Sequence, residues 1–154
     1  MKELTLEIKP KEGFGELLFG DVTEKVTKTL GKPEEIENIE DDDLFNTTIL
    51  NYWKKGISVF FEGTEKSVIA CFETDNHESV LYGKKVFDLS EEDVKNLMSG
   101  KGYELAEEEL EGSGEKRLSY DDAMIDFFFE EGDLIAVNWG VLVNEQGEIE
   151  EMPA

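Results

Sequence analysis

The sequence predicts an α+β fold: a single domain, residues 1–154, built of two tandem repeats. Each repeat is a short helical segment followed by a three- to four-stranded antiparallel sheet. Three observations lead to this expectation. Residues 52–62 and 120–130 share one plan without a gap, with Tyr52/Tyr120, Ile57/Ile125, Phe60/Phe128, Phe61/Phe129 and Glu62/Glu130 all 68 positions apart. The same offset joins Val26 to Val94 and Leu30 to Met98, at helical spacing. Short runs of β-branched and aromatic residues, separated by tight turns, surround both copies, as antiparallel meanders require. A spacing of this size marks two copies of a supersecondary unit. The copies run over about 13–80 and 84–143, and 144–154 form a tail.

In chain order, Leu4, Leu6 and Ile8 alternate with polar residues and read as a half-buried strand stopped by Pro10. Gly13-Phe14-Gly15 signals a turn. Asp21 or Thr23 is positioned to cap a helix whose buried face is Val22, Val26 and Leu30. Gly31 and Pro33 end it. Residues 34–43 are acidic and fit either a ragged strand or a loop. Strands are predicted at 47–53, 57–62 and 68–73, and 74–83 reads as a polar link. Ser90 with Asp93 resembles a capping box for a helix carrying Val94, Leu97 and Met98. Residues 103–110 fit an acidic strand, and 116–120, 124–130 and 134–139 repeat the meander. Alternation turns Ile57, Val59 and Phe61 one way with Ile125, Phe127 and Phe129 as their counterparts. Ser58, Phe60, Asp126 and Phe128 turn the other way. Phe60 and Phe128 then lie either on a contact surface or beneath a neighbouring loop.

The chain carries 38 acidic and 15 basic residues, a net charge of −23. A field of that sign repels nucleic acid and anionic lipid, and it either favours a basic protein partner or keeps the protein soluble. Cys71, the single cysteine, excludes an internal disulfide and sits in the apolar run Val68–Phe72, so it reads as a small buried hydrophobe. The first eight residues show no apolar leader core, and no stretch is long and apolar enough to span a bilayer. A cytoplasmic location is expected.

The stretch from Gly13 to Gly20, followed by Val26 and then Leu30-Gly31-Lys32-Pro33, resembles the opening of domains of the β-lactamase-inhibitor-protein-like type. It is similar also to small bacterial outer-membrane lipoprotein domains. As an architecture the resemblance spans about residues 13–140. It implies helix-and-sheet units in tandem whose joined, concave sheet grips another protein. The second copy departs from the pattern, reading Met98-Ser99-Gly100-Lys101-Gly102, and the disulfides and acylated cysteine of those families have no counterpart here. Inhibition of β-lactamase is therefore not implied.

No reaction centre emerges from the residues. His77, the one histidine, lies in a polar link, and no Cys/His spacing suits zinc. Asp41-Asp42-Asp43 lacks the glycine and distal glutamate of a calcium loop, and no phosphate loop follows Gly13, Gly15 or Gly20. No cofactor, metal or catalytic residue is expected. The leading expectation is a non-enzymatic protein-binding module, of the kind an immunity or inhibitor protein represents, with a basic protein as partner. Tyr52, Trp53, Tyr120 and Trp139 would anchor it, because large aromatics dominate binding hot spots. Asp41, Asp42, Asp43, Glu107, Glu108 and Glu109 would form a steering acidic rim. The acidic runs also fit solvated edge segments that discourage aggregation. The alternatives are a structural domain without a dedicated partner and a carboxylate-based hydrolase.

Overall fold

The strand-forming runs assemble into two sheets that share one core. The computed structural model describes residues 5–41, 45–63, 67–111, 114–142 and 149. Along the chain come β1 (Glu7–Lys9), β2 (Gly13–Phe14), β3 (Leu17–Leu18), α1 (Thr23–Leu30), β4 (Glu35–Asp41), β5 (Phe45–Tyr52), β6 (Ile57–Glu62) and β7 (Val68–Thr74). There follow β8 (Val80–Leu81), β9 (Lys84–Lys85), a 3-10 turn (Val86–Asp88), α2 (Glu91–Gly100), β10 (Glu107–Glu111), β11 (Glu115–Tyr120), β12 (Ile125–Glu130) and β13 (Asp133–Gly140). The large sheet has the order β10-β11-β12-β13-β7-β6-β5-β4 and is antiparallel throughout. The small sheet has the order β3-β2-β1-β8-β9.

The α+β expectation of helix-plus-sheet repeats is overturned: the described residues are mostly β, and the two α-helices among them span only 8 and 10 residues. The reason lies in short segments that the sequence does not mark as strands. Gly13–Phe14, Leu17–Leu18, Val80–Leu81 and Lys84–Lys85 join β1 in a five-stranded sheet, which satisfies backbone groups that loops would leave to solvent. The acidic segments supply the two edge strands of the large sheet, β4 and β10, where a high density of charge discourages further pairing.

Both helices bury the faces their spacing dictates, except that Val22, expected on the buried face of the first helix, precedes α1 and is exposed. Val26 and Leu30 of α1 and Val94 and Met98 of α2 are buried. Asp21 and Thr23 do not cap α1: its N-cap is Val22, with no side-chain capping bond. Asp21 instead accepts from the Leu18 amide at 2.8 Å and pairs with Lys25 at 3.0 Å. Gly31 ends α1 at φ 84°, donating its amide to Thr27, a left-handed position that glycine adopts without a steric penalty. At α2 the capping box is complete, with Ser90 Oγ accepting from the Asp93 amide and Asp93 accepting in return. Lys95 and Lys116 each reach both Glu91 and Glu108 at 2.6–3.1 Å, tying α2 to β10 and β11. Burial pushes the Glu91 carboxyl up, but hydrogen bonds from the two lysines outweigh it and hold the group below its ordinary range.

One face of the large sheet meets the core. Tyr52 pairs with Ile57, Leu50 with Val59, Tyr120 with Ile125 and Leu118 with Phe127, all buried. Residues of α1, α2, the 3-10 turn and the small sheet belong to the same hydrophobic cluster. Trp139 locks the layers together. It stacks on Phe72 at 5.6 Å, meets Phe14 edge-on at 5.0 Å, and donates from Nε1 to the Gly13 carbonyl at 3.0 Å. Thus both helices and the small sheet pack on the same side. The opposite face of the large sheet carries no helix or strand among the described residues.

Candidate protein-binding face

The opposite face is organised by register. β4–β7 and β10–β13 are both four-stranded meanders, and they meet where β7 pairs with β13. Each meander breaks register at the same place, between Phe60 and Phe61 and between Phe128 and Phe129. At the junction Val137 pairs with Thr74, Asn138 with Glu73 and Trp139 with Phe72. Val59 pairs with Phe72 as Phe127 pairs with Val137. These pairings relate the meanders by a local two-fold passing through the pair Glu73–Asn138.

An unbroken polar row crosses all eight strands on this face. Glu35 pairs with Asn51, Asn51 with Ser58, Ser58 with Glu73, and Glu73 with Asn138. Asn138 then pairs with Asp126, Asp126 with Ser119, and Ser119 with Glu107. Parts of the row are stitched by hydrogen bonds. Ser58 Oγ donates to Asn51 Oδ1 at 2.7 Å, and Asn51 Nδ2 donates to Glu37 Oε2 at 2.9 Å. Half-buried Phe60 and Phe128 border the row on opposite sides, as the two-fold requires. Arg117 is the one basic residue among the described strand positions of this face, and it is committed to Glu107 and Glu109. Glu73 and Asp126 make no salt bridge among the described residues.

The two-fold is imperfect in a useful way. Beside Asp126 a groove of about 500 Å³ opens, lined by Glu62, Cys71, Asp121, Met124, Asp126 and Asn138 among others. Its symmetry-related hollow, lined by Trp53, Gly56, Ser58, Glu73, Asp75 and Ala136, measures only about 70 Å³. Burial pushes the Glu62 carboxyl above its ordinary range. A carboxyl raised on folding costs stability when ionised, and that cost is relieved as pH falls through the folded value. Burial, followed by the carboxylates of Glu73 and Glu62, pushes the Cys71 thiol up to about 12. Its Sγ donates to Asn138 Oδ1 at 3.3 Å. The protonated thiol at neutral pH is a weak nucleophile, in keeping with a packing role.

The anticipated anchors fall mostly elsewhere. Tyr52, Tyr120 and Trp139 are 1%, 2% and 0% exposed. They are core residues because each shares the parity of the buried strand positions. The Tyr52 hydroxyl donates inward, to the Gly31 carbonyl at 2.9 Å. Trp53, in the β5–β6 turn, is 58% exposed and walls the small hollow. Of the anticipated rim, Glu107 and Glu109 lie on this face, whereas Glu108 turns to the other face and pairs with Lys95 of α2 and Lys116 of β11. Asp41 ends β4, and Asp42 and Asp43 lie outside the described residues. Glu73, Asp126 and Asn138 were not singled out as site residues from the sequence. Strand alternation was the available cue for Asp126, which it sets beside Phe128. His77 is exposed and stacks on Phe87 at 5.0 Å, with Lys85 and Glu78 paired nearby at 3.1 Å. Among the described residues, no group of three His, Cys, Asp or Glu is placed to hold a metal ion. No helix among them is long and apolar enough to cross a membrane.

No family model and no curated protein matches the sequence. The chain is similar to the crystal structure of a DUF4309 family protein, YjgB, from Bacillus subtilis. The likeness covers 76% of each chain at 14% identity with a TM-score of 0.43, too slight to support an argument about fold or function.

Proposed function

We propose that this chain is a non-enzymatic protein-binding module whose outer sheet face receives a basic protein, as an immunity or inhibitor protein would. The observation that supports the reading is the polar row, with carboxylates on four of its eight strands and an aromatic on either side. Aligned carboxylates on a partly desolvated surface attract cations more strongly than scattered surface charges do. Phe60 and Phe128 add apolar contact area of the kind that carries binding energy. A cytoplasmic location belongs to the same proposal.

The test is the affinity of fluorescein-labelled poly-lysine for the wild type and for the double variant Asp126→Asn/Glu73→Gln, at low and high salt. The expected result is a loss of about ten-fold in the variant, since two charge contacts on this half-exposed face are together worth about 1.4 kcal/mol. The difference should shrink in high salt. Equal affinity of the two proteins at low salt would place any binding on other acidic surfaces and defeat the proposal.

A further inference from the structure

We infer that the occupant of the outer face is a basic amphipathic α-helix lying across the strands, along the polar row. The inference rests on the binding reading above and specifies the partner. Glu107, Asp126 and Glu73 stand on β10, β12 and β7, every second strand of the sheet, with Glu107 also reached by Arg117 at 3.6 Å. Neighbouring strands lie about 4.8 Å apart, so these carboxylates recur roughly every 10 Å. A helix rises about 10.5 Å in seven residues, so lysine or arginine at every seventh position meets them in turn. An extended strand laid the same way repeats its side chains about every 7 Å on one face and falls out of step.

The width agrees with a helix as well. Phe60 and Phe128 sit one same-face position from the row, on opposite sides. That step is about 6.7 Å along a strand, so the two rings, three strands apart, flank from one side each a strip roughly 13 Å wide measured between backbone positions. A helix with its side chains is about 10–12 Å wide and covers such a strip, whereas a polyproline segment of similar repeat is thinner. The sign of the charge decides between occupants. A second copy of this chain, at −23, is repelled. Residues 144–154 hold four glutamates and no basic residue, so they do not complement the face either. The groove beside Asp126 supplies room for a bulkier side chain on one side of the row only, which breaks the two-fold and would set the direction of the helix.

Three labelled peptides of equal charge test this against the full chain at low salt. One has lysine at every seventh position of an alanine-leucine helix, the second redistributes the same residues, and the third carries central prolines. The heptad peptide should bind about ten-fold tighter than either other peptide. Asp126→Asn/Glu73→Gln should erase that preference. Equal affinity for the first two, or undiminished binding of the proline peptide, would overturn the helical occupant while leaving an acidic binding face. Failure of all three to bind would overturn both.

Discussion

Replacing Trp139 by alanine should cost about 3–5 kcal/mol of stability, the range for deleting a large, fully buried aromatic. The side chain is 0% exposed and touches both sheets at once. Its loss removes the stacking on Phe72, the edge contact to Phe14 and the hydrogen bond to the Gly13 carbonyl. For a chain of this size each kcal/mol corresponds to roughly 2–4 °C, so the melting temperature should fall by about 10 °C. Urea unfolding followed by far-ultraviolet circular dichroism measures the change. Trp53→Ala is the matched control, because that ring is 58% exposed. Equal losses in the two variants would contradict the placement of Trp139 at the junction of the layers.

Gly13→Ala should destabilise by about 2–4 kcal/mol, since the native backbone there excludes a side chain. A Cβ on Gly13 would lie 2.0 Å from the Leu17 carbonyl oxygen and 2.9 Å from the Leu18 Cα, both main-chain atoms that cannot swing aside. Relief would require β2 to leave β3, which also withdraws the carbonyl that Trp139 uses. Gly100→Ala, at the end of α2 with nothing within 4 Å of its Cβ, is the control. There the substitution should be neutral or stabilising by about 0.5–1 kcal/mol. Thermal unfolding of the pair decides the point, and a harmless Gly13→Ala would refute the close approach of β2 and β3.

The strands richest in β-branched and aromatic residues were legible. β6, β7, β12 and β13 fall within a residue or two of the runs that predict them, because alternation and turns act locally. Both helices, and the Ser90–Asp93 box, were legible for the same reason. The fold class was not. Strands of two residues, such as β2, β3, β8 and β9, are too short to show a period, and only tertiary pairing creates them. Ranking aromatics by size misassigned Tyr52, Tyr120 and Trp139, since the same area that drives binding drives burial. Parity held the correction: Tyr52 sits opposite Ile57 and Tyr120 opposite Ile125, on the core side. The polar row was only half visible. Alternation sets Ser58 and Asp126 apart from the core, but their alignment through Glu73 and Asn138 depends on β7 meeting β13. Those partners are more than sixty residues apart in sequence, and no local pattern encodes that register.

The central claim is that the face opposite the helices does the binding. Amide chemical-shift mapping of the isotopically labelled chain, titrated with the heptad-lysine helix at low salt, tests it most directly. The claim requires the largest shifts at Ser58, Glu73, Asp126 and Asn138, with Phe60 and Phe128 following. Shifts confined to α1, α2 and the small sheet, with the polar row unmoved at saturation, would contradict it.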